Sequence, residues 1–146
     1  MRPSAVSRAL GVLLLAVAAS YCPSPSMAQE VFANSSAGTN RVDLHTLRAI
    51  FGMRLTEWPN GTRITVYIMD PDSALHNRFA KRQLQLFPYQ LTQAWDRLVF
   101  SGTGQAPLIV RSPLEMQRRL QETPGAIGYL PANINPDDLV QLEVME

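Results

Sequence analysis

The chain has 146 residues, of which 46% are hydrophobic and 17% charged, a composition that excludes a disordered tail and suits one hydrophobic core. Its formal net charge is +1, and without Arg2 and Arg8, which fall in a predicted leader, 11 basic residues face 12 acidic ones. This near-neutral balance provides no basic surface for nucleic acid, so we expect no nucleic-acid partner.

The N-terminus has the order of segments that is typical of a secretory signal peptide. Arg2 and Arg8 are followed by the apolar run at 9–20, and the small-residue triplet Ser26-Met27-Ala28 comes before Gln29. We therefore predict a signal peptide over residues 1–28, export to the periplasm and a single domain over residues 29–146.

Two other interpretations of the N-terminus are weaker. A retained membrane anchor needs roughly 20 apolar residues, and the run at 9–20 is shorter. Lipidation of Cys22 needs a small residue before it, and Tyr21 stands there. After cleavage at Ala28 the chain has no cysteine, so we expect packing rather than disulfides to hold the fold. Cleavage would also remove the apolar run, so we expect no membrane span in the mature chain.

From residue 29 onward, strand and helix signals alternate, which is the pattern of an α/β layer fold. A helix start is predicted after Asp43, after Asp72 or Ser73, at Pro88 and after Ser112. The predicted helices end at about residues 51, 86, 99 and 123. The predicted strands are 30–33, 64–69, 108–110, 126–130 and 139–144.

The residues that catalysis would need are scarce, so we expect no enzyme activity. Beyond the leader there is no cysteine, and His45 and His76 lie near no nucleophile motif; both are interpreted as surface residues at helix starts. Two isolated histidines are also too few for a metal site, and no cofactor is expected. The short Gly102-Thr103-Gly104 segment follows a helix and lacks a third glycine, so it is interpreted as a plain loop rather than a dinucleotide loop.

Ser73 provides the one local feature with a binding mechanism. It lies at a predicted helix N-terminus, where free backbone N–H groups and the helix dipole favour an anion. Ser73 is equally the ordinary residue to cap a helix. The neighbouring acids Asp70 and Asp72 would oppose an anion, which favours the simple cap.

Several segments resemble the second lobe of the phosphate-binding components of ABC transporters. The resemblance rests on Leu47 to Gly52, on Trp58-Pro59-Asn60-Gly61, on Phe100-Ser101-Gly102 and above all on the run PGAIGY at residues 124–129. It implies one lobe of a type II periplasmic binding protein: three layers, with helices on both faces of a mostly parallel, twisted sheet, and one strand running against the others.

The resemblance also implies an anion site from which this chain departs. The family has an arginine, three residues, and then Ser-Gly-Thr at the helix start; here Met69 occupies the arginine position, and Ser73, Ala74 and Leu75 follow. Of these, only Ser73 matches the family. Loss of the guanidinium removes a bidentate, charged partner for phosphate.

The sequence thus favours a periplasmic, non-catalytic domain related to solute-binding proteins, with a sensory, accessory or protein-interaction role and weak or no anion binding. Expected partners are a membrane sensor, a transporter or a second copy of the chain. A site made of Ser73, Ala74 and Leu75 that captures phosphate or a similar anion for transport is the first alternative. A structural protein of the envelope is the second.

Overall fold

A computed structural model describes residues 28–146. Residues 1–27 of the signal peptide predicted at 1–28, with Cys22, lie outside the described residues. Within the described part, no helix combines the length and the apolar character that crossing a membrane requires.

The α-helices are α1 (Leu44–Phe51), α2 (Ala74–Arg82), α3 (Pro88–Ser101) and α4 (Pro113–Glu122). The strands are β1 (Gln29–Asn34), β2 (Arg41–Asp43), β3 (Thr65–Met69), β4 (Leu108–Val110), β5 (Ala126–Pro131), β6 (Leu139–Gln141) and β7 (Glu143–Met145).

Five strands form the main sheet, in the order β4-β3-β5-β1-β6. Strands β3, β4 and β5 are parallel, whereas β1 is antiparallel to both β5 and β6. The predicted single reversed strand is therefore β1, inserted inside the sheet rather than at its edge. The strands β2 and β7 pair in parallel as a separate two-stranded sheet.

Helices cover both faces of the main sheet, as the α/β prediction requires. On one face, α4 packs so closely on β5 that a Cβ at Gly128 would lie 2.5 Å from Sδ of Met116. On the other face, the Tyr129 ring contacts Phe51 of α1 and Phe79 of α2. The predicted three-layer, mostly parallel α/β fold is confirmed.

The helix starts follow from capping side chains. Asp43, Ser73 and Ser112 each accept a hydrogen bond from the backbone N–H three residues later, which satisfies a donor that the first helical turn leaves free. Of the two predicted caps for α2, Ser73 is thus the correct one. This helix ends at Arg82 rather than near residue 86, and Gln85 beyond it has a φ of 53°.

The C-terminal segment differs from the single strand predicted at 139–144. It is divided at Leu142, whose N–H donates to Val31 in β1, while the N–H of Glu143 donates to Asn40. As a result β6 extends the main sheet and β7 joins β2. The sequence gives no sign of this change of partner, because residues 139–144 have the residue types of one continuous strand.

Gly125 in the PGAIGY run is required by its surroundings. Its φ is +71°, and a Cβ there would overlap the backbone oxygen of Arg63. Its own carbonyl accepts a hydrogen bond from Nε1 of Trp58 at 3.0 Å. This turn thus joins the loop around Trp58 to the start of β5.

We predict that Gly125→Ala destabilises the fold by about 3 kcal/mol or more, because a left-handed backbone conformation and a steric overlap are added together. Gly61→Ala is the matched control, since Gly61 also has a positive φ, +82°, but nothing lies near its Cβ position. Its expected cost is about 1–2 kcal/mol. Urea unfolding measures both, and equal costs would contradict the proposed overlap.

Candidate functional site

The candidate site lies where β3 ends and α2 begins, at the carboxyl edge of the parallel strands. Ser73 caps α2 through its Oγ, which accepts from the N–H of His76 at 3.1 Å. Ala74 and Leu75 are the first two helical residues, so their N–H groups have no acceptor within the helix. The structure therefore brings the three predicted residues together at one helix start, and whether they bind an anion stays a prediction.

Acidic groups lie beside this helix start. Asp70 is exposed, and its Oδ1 accepts from the N–H of Asp72 at 2.9 Å. Its carbonyl accepts from the N–H of Ser73 at the same distance. The Asp70-Pro71-Asp72 segment is therefore a hydrogen-bonded turn that places two exposed carboxylates next to the free N–H groups of α2, and these charges repel an anion.

Met69 occupies the position where the resemblance implies an arginine. Its side chain is buried in the core, and its backbone N–H donates to the hydroxyl of Tyr129 at 2.9 Å. This side chain supplies packing and no charge. Thus the end of β3 is an apolar, closed position rather than one that presents a guanidinium to solvent.

The prediction that His76 is a surface residue is wrong, whereas His45 is exposed as predicted. His76 is 0% exposed, and its Nδ1 lies 2.9 Å from the hydroxyl of Tyr129. Because that hydroxyl accepts from Met69 N–H, its own proton is free to go to Nδ1. The partner tyrosine is 53 residues away along the chain, so the position of His76 at a helix start gave no indication of burial.

The Nε2 atom of His76 has no hydrogen-bond partner among the described residues. Burial lowers the pKa of His76 below its ordinary value, although the nearby Asp70 carboxylate acts in the opposite direction. Burial likewise raises the pKa of Tyr129, so the phenol stays protonated at physiological pH. Both rings are thus neutral, and they fix the start of α2 instead of carrying charge to it. Within residues 28–146, no group of three or more His, Cys, Asp or Glu side chains is placed to hold a metal ion.

Arg111 is a residue near the site that the sequence analysis did not identify. Val110 in β4 is paired with Met69 in β3, so the residues that directly follow, Arg111 and Asp70, leave the sheet at the same edge. Arg111 is exposed, and its backbone N–H donates to the Glu115 carboxylate at 2.8 Å. Only the pairing of β4 with β3 reveals this neighbour.

We predict that protonation of His76 destabilises the fold. Its pKa is lower in the folded chain than in the unfolded chain, so between these two values the unfolded chain binds the extra proton. The free energy of unfolding should therefore fall as the pH is lowered from about 6.5 to 5. Urea unfolding across this range should show a smaller pH dependence in His76→Phe. His45→Gln is the control, and a flattened profile in that variant alone would contradict the assignment.

We also predict that Tyr129→Phe costs about 1–3 kcal/mol of stability, because it leaves the buried N–H of Met69 without an acceptor. Tyr67→Phe is a matched control. Its hydroxyl lies 3.0 Å from Oγ1 of Thr123 at a partly buried position, so we expect about 0.5–1.5 kcal/mol. Thermal unfolding compares the two, and a cost at Tyr129 no larger than at Tyr67 would refute the bridging role.

Comparison with known proteins supports the fold by structure alone. No family model matches the sequence, and no curated protein matches it. Among solved structures, an ABC-type phosphate transport receptor from Vibrio cholerae is similar with a TM-score of 0.55 and 12% identity over 80% of this chain and 45% of that one. PstS from Borrelia burgdorferi is similar with a TM-score of 0.55 and 16% identity, over 80% of this chain and 47% of that one.

A third similar structure is a protein from Clostridium perfringens, assigned as a phosphate ABC transporter substrate-binding protein and solved with bound phosphate. Its TM-score is 0.61 and its identity 16%, over 80% of this chain and 44% of that one. The chain thus spans less than half the length of these proteins. It has the fold of one lobe of a phosphate-type periplasmic solute-binding protein.

Proposed function

We propose that this chain is an exported, non-catalytic domain of the solute-binding-protein type with a sensory, accessory or protein-interaction role, and that it binds inorganic anions weakly or not at all. The observation that carries the proposal is the chemistry at the start of α2. There Met69 is buried in place of an arginine, and two carboxylates, of Asp70 and Asp72, are exposed.

The balance of charge supports weak anion binding. A phosphate at Ser73 could use the N–H groups of Ala74 and Leu75 and the dipole of a nine-residue helix. Against this, the missing guanidinium removes charge-assisted hydrogen bonds, each of which would contribute roughly 1.5–3 kcal/mol to the binding free energy. The carboxylates of Asp70 and Asp72 add repulsion at the same place. These losses favour no capture at micromolar phosphate.

The carboxyl edge of the sheet supports an interaction role. In the family that it resembles, the anion is held between two lobes, and this chain spans 44–47% of two of the similar proteins. The carboxyl edge of its sheet, which a second lobe would face, also carries Leu114 with 77% of its surface exposed. Leu108 and Ile109 of the edge strand β4 are exposed as well, and a group of exposed apolar side chains suits contact with another protein. A membrane sensor, a transporter or a second copy of the chain would use this edge.

Capture of an oxyanion is the competing function, and Arg111 is the observation that favours it. This guanidinium comes from the strand next to β3 and leaves the sheet at the same edge as Asp70. It could replace the positive charge that Met69 lacks. An anion would then lie between Arg111 and the N–H groups of Ala74 and Leu75.

We predict that calorimetric titration of the exported, purified chain shows no saturable heat with phosphate or sulfate below millimolar concentration. Removing the repulsion in Asp70→Asn/Asp72→Asn should raise the affinity, and Asp137→Asn/Asp138→Asn is the charge-matched control. Micromolar binding by the unmodified chain that is lost in Arg111→Gln would establish oxyanion capture and overturn the proposal.

A further inference from the structure

Another concave site lies away from the start of α2, between the end of α1 and the part of α3 that carries Leu91 and Ala94. It encloses about 360 Å³, at the small end of the range for small-molecule sites. Its location is beyond the C-terminal end of α2, the opposite end from Ser73. Its lining includes three arginines and three leucines, Arg48, Arg54, Arg97, Leu86, Leu91 and Leu98. We propose that this pocket, called here the arginine pocket, binds a small amphipathic organic anion, namely a carboxylate with a short apolar chain.

Three guanidinium groups supply the positive charge of the arginine pocket. They belong to Arg48 and Arg54 at the end of α1 and to Arg97 on α3, and no Asp or Glu of the described chain is in the lining. None of the three forms an ion pair with a carboxylate of residues 28–146. Three positive charges in a lining that contains no carboxylate favour an anionic ligand.

Arg48 is held in position by the protein itself. Its Nε donates to the backbone oxygen of Leu84 at 2.7 Å, which ties the end of α1 to the segment after α2. The two terminal nitrogens of the guanidinium remain to bind a ligand. A guanidinium fixed at Nε loses less conformational entropy when it binds a carboxylate than a free one does.

The floor of the arginine pocket is apolar, and this feature selects the class of anion. Leu91 is buried, and Leu86, Ala94 and Leu98 are half-buried. Inorganic phosphate or sulfate would leave Leu86, Ala94 and Leu98 in contact with water. A ligand with a carboxylate head and a short hydrocarbon chain satisfies both parts, because the arginines bind the head and the chain is removed from water against the leucines.

Titration of the full purified chain with hexanoate tests the proposal, using calorimetry together with amide chemical shifts. We expect saturable binding, with shifts concentrated at Arg48, Gln90, Leu91 and Leu98. Acetate lacks the apolar chain and hexanol lacks the charge, so neither should saturate in the same range. Phosphate distinguishes this site from the start of α2, since it should not shift the pocket residues.

Variants decide whether the arginine pocket is the site. Arg54→Gln/Arg97→Gln changes two exposed side chains and should weaken hexanoate binding tenfold or more. Arg118→Gln, on α4 across the sheet, is the control and should bind as the unmodified chain does. Ala94→Glu places a carboxylate in the pocket and should abolish binding, and thermal unfolding checks that each variant is folded. Absence of saturation at about 10 mM hexanoate, or equal affinity in the double variant, would overturn the proposal.

Discussion

The hydroxyl of Tyr129 is the contact on which the arrangement of the candidate site depends. It joins three elements at one point: it belongs to β5, accepts from the last N–H of β3 and lies 2.9 Å from a ring nitrogen of α2. The same ring stacks on Phe79 with centroids 3.8 Å apart. The start of α2 is thus fixed by a buried, neutral network that needs no ligand. This explains how the helix start is held in position although Met69 replaces the arginine that would bind an anion there.

Local sequence signals were sufficient for most elements of the fold. The capping residues Asp43, Ser73 and Ser112 mark helix starts, and the strand at Leu108–Val110 has the bounds that its sequence predicts. Such signals act within four or five residues, so they survive any tertiary arrangement. The apolar spacing of α3 is a less complete guide to burial, because Leu91 and Trp95 are buried whereas Val99, which falls on the same spacing, is exposed.

What the sequence could not provide are the contacts between distant segments. The burial of His76 depends on a tyrosine from β5, and the position of Arg111 depends on the pairing of β4 with β3. The arginine pocket likewise combines the end of α1 with α3, about 40 residues apart. The differences from the family's Ser-Gly-Thr at Ala74 and Leu75, in contrast, follow from the sequence alone. The structure adds that both residues lie in the first turn of α2.

The place of β1 in the sheet has a consequence for how the chain acquires its shape. This strand precedes all the others in the chain, yet both of its neighbours come late: β5 begins at Ala126 and β6 at Leu139. Until those positions emerge, the backbone donors and acceptors of β1 have no partners. Closure of the sheet is therefore a late, long-range event, and such topologies fold slowly. Until then the strand Gln29–Asn34, with the apolar residues Val31, Phe32 and Ala33 at its centre, stays unpaired.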